Sequence, residues 1–173
     1  MITLFVSDFK HISQQVYDRE IAGLQLHRLS CPSCGHSSCL SIHGYYLRSI
    51  HTPDGLLKLR ILRVKCSCGR THAILLSSMV PYSRIPLEVQ SRIAACESAS
   101  KAVVRTEIEL ADITEWAIRN IHRNFQRLWK EMLLSITQDL EHLADLVRNS
   151  FRHFRRQFMQ IHCGMNQLFI KTT

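Results

Sequence analysis

Two short cysteine pairs constrain this chain more than any other feature: Cys31-Pro-Ser-Cys34-Gly35 and Cys66-Ser-Cys68-Gly69-Arg70. Each pair closes on a glycine, the residue that lets a backbone turn tightly enough to aim two thiolates at one ion. Four sulfur donors in two such knuckles favour one closed, tetrahedral, structural Zn2+ site over a catalytic site with an open position. The first pair has the familiar Cys-x-x-Cys spacing, and the second is one residue short of it. Two readings of the second stand side by side. Either Cys66 and Cys68 both ligate through a tighter loop, or a neighbour takes one position, with His72 first in line and Cys39 or His36 behind it. The interval between the pairs exceeds the roughly 15–20 residues of the commonest four-cysteine pattern. An intervening hairpin accounts for the excess. A redox role for Cys31 and Cys34 would call for a βαβ context, and none surrounds them.

The flanking chain fits that layout. Ser41–Ser49 and Leu56–Val64 read as strands on either side of His51-Thr-Pro-Asp54-Gly55, where Asp-Gly is a hairpin signal. In the second run Leu57, Leu59 and Ile61 alternate with Lys58, Arg60 and Leu62, which makes one face apolar and the other largely basic. A third run, Ala73–Leu76, follows the second knuckle. Knuckle, hairpin, knuckle, strand is the order of a zinc ribbon, placed at residues 31–80. Residues 1–30 read as a strand near Ile2–Val6 and a helical stretch around Ile12–Leu26.

Beyond the ribbon the texture turns helical. Pro81 and Pro86 punctuate the joint, and Pro86 suits a first helical turn. Leu87 to Glu97 carries helical spacing, Ala102–Leu110 a shorter helix, and Ala111-Asp112-Ile113-Thr114 offers side chains that can cap a third running to about Leu134. Three helices with a tight joint before the third suggest a helix-turn-helix over residues 81–134. A last amphipathic helix, about Ile136 to Ile161, fills the carboxy-terminal segment 135–173. The expected fold class is therefore α+β: a small β zinc ribbon, then a helix-turn-helix, then a carboxy-terminal helical extension.

Charge points to the partner. Lys and Arg outnumber Asp and Glu by 22 to 14, a formal net charge of +8. Such a balance favours a polyanion, with nucleic acid ahead of a membrane surface. On the third helix Arg119, Arg123, Arg127 and Lys130 form one stripe, while Ile118, Ile121, Phe125, Leu128, Trp129 and Met132 fall opposite. Asn120 and Asn124 add amides that can read base edges. Arg48, Arg60 and Arg63 are the matching ribbon residues. A solvated amphipathic helix has the same pattern, so clustering in every module carries the argument. Trp116 lies near the basic stripe, to pack on a neighbouring helix or to press against a sugar-phosphate backbone.

No run approaches the roughly 20 apolar residues of a membrane span, and the Met1–Asp8 opening is too short for an export signal. Cytoplasmic residence is expected, where paired cysteines bind metal more readily than they form disulfides. Cys39, Cys96 and Cys163 lie outside the knuckles. The carboxylates after the ribbon sit in helical texture beside basic neighbours, unlike the converging acids of a two-metal nuclease. No enzyme is expected.

Together, Cys31-Pro-Ser-Cys34-Gly35, His43-Gly44-Tyr45-Tyr46-Leu47-Arg48, Arg63-Val64-Lys65-Cys66 and Gly69-Arg70-Thr71-His72 resemble the amino-terminal zinc ribbon of ISL3-like insertion-sequence transposases. The segment Pro81-Tyr82-Ser83 is also similar to an uncharacterised, mobile-element-associated zinc-ribbon family. The resemblance implies Cys31, Cys34, Cys66 and Cys68 as zinc ligands and a ribbon plus helix-turn-helix that bind the element's terminal DNA. Those families cut DNA with a separate RNase H-like domain, for which this chain has no room. A transposase or a second copy of the chain are the implied protein partners. The runner-up is a protein-interaction module whose last helix offers Leu140, Leu143, Leu146, Val147, Phe151, Phe154 and Phe158 as an apolar seam.

Overall fold

Alternation of side chains organises the centre of the molecule, as the strand patterns require. The computed structural model describes residues 1–6, 12–103 and 113–130. Its elements are β1 (Ile2–Leu4), α1 (Gln14–Ala22), β2 (Leu40–Thr52), β3 (Gly55–Cys66), β4 (Thr71–Leu76), α2 (Leu87–Ala95) and α3 (Glu115–Asn124). The fold is α+β, with one mixed sheet in the order β1-β4-β3-β2. The expected final helix and its apolar seam lie outside the described residues, as does Cys163.

β2 and β3 form the expected antiparallel hairpin, with Thr52 opposite Gly55. Its two-residue turn is therefore Pro53-Asp54, and Gly55 already belongs to the returning strand. Proline presets the backbone at the first turn position, which moves the turn one residue ahead of the Asp-Gly pair. A bulge lies between Ile42 and Gly44 in β2. Leu59 and Ile61 are fully buried on one face and pack with Ile50, Leu75, Leu76, Met79 and Leu87. Lys58 and Arg60 are exposed on the other. Past Arg60 the second face is covered too, because Leu62 and Val64 pack with Leu40, Ile74, Cys31 and Cys66.

β3 and β4 pair through Arg63–Ala73, Val64–His72 and Lys65–Thr71. Beyond that short register α1 enters between the strands. The Gln14 side chain accepts the Arg60 N–H at 2.7 Å and donates to the Arg60 carbonyl at 3.3 Å. The Tyr17 hydroxyl accepts the Leu62 N–H at 2.9 Å and donates to the Ile74 carbonyl at 3.0 Å. Residues three apart lie on one side of a helix, so α1 serves backbone groups that a neighbouring strand would otherwise satisfy. Burial pushes the Tyr17 phenol up to about 12, which keeps it a neutral donor. Ser13 caps the helix by accepting the Val16 N–H at 3.2 Å. On the far side, β1 completes the sheet by pairing parallel with β4.

After β4, Pro81 and Tyr82 occupy the centre of a turn closed by the Ser83 N–H on the Val80 carbonyl at 3.2 Å. Tyr82 has φ 60°, at a turn position where φ above zero calls for Gly or Asn. A side chain in this left-handed region costs roughly 1–2 kcal/mol. Surrounding bonds hold it there. Arg48 donates to the Val80 and Ser83 carbonyls. The buried Gln90 amide donates to Ser83 Oγ and to the Ile85 carbonyl, each at 2.9 Å. The His51 N–H reaches the Arg84 carbonyl at 2.8 Å.

α2, the helical residues 99–103 and α3 pack through Val89, Ile93, Ala102, Val103, Ile113 and Ile118. Thr114 caps α3 as expected, its hydroxyl accepting the Ala117 N–H at 3.3 Å. The helix carries a wide turn within it: Glu115–Asn124 is α-helical, Phe125–Trp129 is π-helical, and the expected end near Leu134 lies outside the described residues. Such a wide turn rotates the residues after it relative to those before it. Phe125 is buried in the same cluster as Leu59, Ile61 and Leu87, so α3 and the sheet share a core.

Replacing Tyr17 with Phe should cost about 1–3 kcal/mol, because the Leu62 N–H and Ile74 carbonyl would lose a buried partner. A urea melt reads this as a lower midpoint at unchanged slope. Gln14→Ala, on an exposed pair of bonds, should cost less.

Candidate metal centre and basic surface

Both knuckles close by the same two backbone bonds, and that likeness accounts for the short second pair. In the first, the Cys31 N–H reaches the His36 carbonyl at 2.9 Å and the Gly35 N–H reaches the Cys31 carbonyl at 2.8 Å. In the second, the Cys66 N–H reaches the Arg70 carbonyl and the Gly69 N–H the Cys66 carbonyl, both at 2.9 Å. The second loop closes with one residue fewer. Gly35 and Gly69 take φ 77° and 85°, a left-handed conformation in which another residue would be strained.

These loops bring Cys31, Cys34, Cys66 and Cys68 together, with their sulfurs all within 4.8 Å of one another. Cys31 and Cys68 sulfurs are 3.9 Å apart, and Cys34 and Cys66 sulfurs 3.6 Å. A tetrahedral ion with metal–sulfur bonds of 2.3 Å sets sulfur–sulfur edges of about 3.8 Å. The four thiols thus fit one thiophilic metal ion. The Ser33 N–H points at Cys31 sulfur and the Cys68 N–H at Cys66 sulfur, each at 3.4 Å. Donors aimed at sulfur stabilise the thiolate form that a metal requires.

Ionisation within the cluster is uneven. Burial pushes the Cys31 thiol up, but the Cys34 and Ser33 N–H groups outweigh it and bring it down to about 7. The Cys68 N–H brings Cys66 down to about 6 against burial. Cys68 gains from the Arg70 N–H, yet crowding by Cys66 and burial leave it raised to about 11. Thiols this close resist becoming four thiolates without a cation to screen them.

His72, the alternative fourth ligand, lies outside the set of four. It is buried, with Nε2 3.3 Å from Cys31 sulfur and Nδ1 3.4 Å from the Met1 amine. From there it can donate to a bound thiolate, a role that spacing does not reveal. Cys39 comes closer than expected for a residue outside the knuckles. Its sulfur lies 3.2 Å from Cys66 sulfur, and its thiol donates to the His36 carbonyl at 3.0 Å. Proximity to Cys66 is the chief cause that raises the Cys39 thiol.

The basic residues divide. Arg123, Arg127 and Lys130 are exposed and Asn124 is half-buried. Arg119 pairs with Glu115 on its own helix. Arg60 lies over the Tyr45 ring, 4.5 Å from its centroid, and Arg63 donates to Thr71 Oγ1 at 3.1 Å. Arg48 is directed inward to the Val80 and Ser83 carbonyls. Asn120 lines a groove with Trp116 and Tyr82. Trp116 is 73% exposed, so it does not pack on a neighbouring helix. No helix among the described residues is long and apolar enough to cross a membrane.

Residues 31–116 match the model of a protein family described as a domain of unknown function, DUF6431. The chain is similar to that family from the first clustered cysteine to the first turn of α3. No curated protein and no solved structure matches.

One metal ion per chain should survive desalting, read by elemental analysis. Cys68→Ser should lose it, whereas His72→Ala and Cys39→Ser should retain it. Protons compete with the metal for thiolate, so lowering the pH should release the ion and raising it should restore binding.

Proposed function

We propose that this chain is a DNA-binding protein in which one structural zinc ion braces a ribbon and α3 is laid in the major groove. The observation that carries the reading is the two-sidedness of α3 together with the π turn that follows it. Ile118 and Phe125 are buried, while Arg123, Arg127 and Lys130 stand in solvent with no carboxylate in salt-bridge contact among the described residues. A helix with an anchored apolar side and free arginines suits groove contact and phosphate neutralisation. Four cysteine ligands favour zinc, which needs no open position to stabilise a fold.

In this reading the protein binds DNA without cutting it. The nearby helical carboxylates support that. Glu88, Glu97 and Glu115 each pair with a basic residue one turn on, namely Arg92, Lys101 and Arg119. The motif likeness to ISL3-like transposases extends the proposal to a truncated transposase-like binder or a regulator, working with a transposase or a second copy of itself. A second reading, as a protein-interaction module, draws on Ile42, Tyr45 and Leu47, which are exposed along β2.

Binding of a mixed-sequence duplex, measured across a salt series, tests the proposal. Affinity should fall steeply with salt, and each lost phosphate contact should reduce the log–log slope by about 0.9. Arg123→Ala with Arg127→Ala should therefore weaken binding and flatten the slope. Salt-independent binding that ignores both substitutions would sink the reading and leave the interaction module. Elemental analysis should find zinc, and stoichiometric iron in its place would refute the zinc assignment.

A further inference from the structure

An open groove of about 350 Å³ lies between the Pro81–Tyr82 turn and the start of α3. Tyr82, Arg84, Trp116, Asn120 and His51 are among its lining residues, and no carboxylate is. Tyr82 is 81% exposed and Trp116 73%. Among the described residues they are the two most exposed large apolar side chains, and both line this one groove. The Tyr82 ring is also held there against its backbone preference, by the Arg48 and Gln90 bonds that fix the turn.

Flat, exposed rings suit a flat, ring-shaped ligand. Nucleobases stack on aromatic side chains whatever their identity, since each has a π face. Arg84 brings a cation, the complement of a phosphate, and His51 a ring nitrogen that can hydrogen-bond to one. Asn120 offers both a donor and an acceptor to a base edge. In a duplex the base faces are already stacked on one another, so these rings would be available to an unpaired base only. Trp116, Asn120 and Arg123 follow the i, i+4, i+7 spacing that keeps residues on one helix face. Arg123 is about 10 Å along the axis from Trp116 at 1.5 Å per residue.

We propose that this groove binds an unpaired nucleotide of DNA, its base against Tyr82 and Trp116 and its phosphate toward Arg84. The proposal rests on the DNA-binding reading and deepens it: the protein would recognise a junction or end where duplex gives way to single strand. A duplex held on Arg123 would deliver that strand along the same face of α3.

The test compares a blunt duplex with the same duplex carrying a short single-stranded overhang, with 2-aminopurine as the first unpaired base. Wild-type protein should bind the overhang probe about tenfold more tightly, as stacking of one base allows, and should change the 2-aminopurine fluorescence. Trp116→Ala and Tyr82→Gly should each remove most of that advantage while leaving blunt-duplex affinity in place. Tyr82→Gly eases the left-handed backbone, so its thermal midpoint should hold or rise, which separates loss of the ring from loss of the fold. Equal binding of the two probes by wild type, with the usual salt slope, overturns the groove and leaves DNA binding standing. An overhang advantage that survives both substitutions also overturns it, placing the unpaired strand elsewhere. Failure of either probe to bind in a salt-dependent way removes the DNA-binding reading and this inference with it.

Discussion

The meeting of four sulfurs at one end of the sheet is the constraint on which the surrounding chain depends. Between Gly23 and Cys39 the described backbone has only a three-residue 3-10 turn and a single bridge, Ser30 to Ser37. That segment is tied to β3 and β4 by the knuckles and by Leu24, Leu26 and Leu29, which pack on the cluster of Leu62, Val64 and Ile74. Cys31 and Cys66 are themselves buried beside Leu40, Val64 and Ile74, so two of the four clustered cysteines also belong to the adjoining core. An ion held there couples its binding free energy to folding. Without one, thiols as close as 3.6 Å face mutual repulsion on ionisation, and the same packing that helps the holo form hinders the apo form.

At the other end of the short β3–β4 register the sheet is secured by side chains. Gln14 and Tyr17 meet Arg60, Leu62 and Ile74 where the strand pairing has stopped. An exposed strand segment invites pairing with another chain, and a covering helix is one way to prevent it. β1 closes the far edge by pairing with β4. β2, last in the order, keeps an edge with Ile42 and Leu47 exposed nearby. The sheet is thus protected where it is short and left open where it is long.

What was legible in the sequence was what has a local period. Alternation placed the hairpin and the two faces of β3, the cysteine spacing placed the two cysteine loops, and the stretch from Ala111 to Thr114 placed the start of α3. Contacts across long sequence separations leave no such trace. Residues 12–26 have no clean stripe because Gln14 and Tyr17 serve backbone groups some 45 residues away. Arg48 reads as one more surface cation, yet its partners are carbonyls at Val80 and Ser83. The short second knuckle looked deficient by count, although the backbone bonds that close it repeat those of the first. The π turn after Asn124 has no obvious sequence signal either.

Arg48 also separates two uses of positive charge that a net value of +8 merges. Its guanidinium is held by the turn that carries Tyr82, whereas Arg123, Arg127 and Lys130 stand in solvent on or just beyond α3. A charge fixed on carbonyls cannot neutralise a phosphate without releasing the turn, so the hairpin's contribution to any polyanion surface is smaller than its composition suggests. What that arginine supports instead is geometry. It keeps a tyrosine in a conformation suited to glycine, beside a tryptophan that finds no core. Strain maintained by named bonds at an exposed aromatic is where a fold invests stability in a surface. Trp116, Asn120 and Arg123 recur at the spacing of one helix face, so under the proposed reading the rings of the groove and the first exposed arginine of α3 would act on the same ligand.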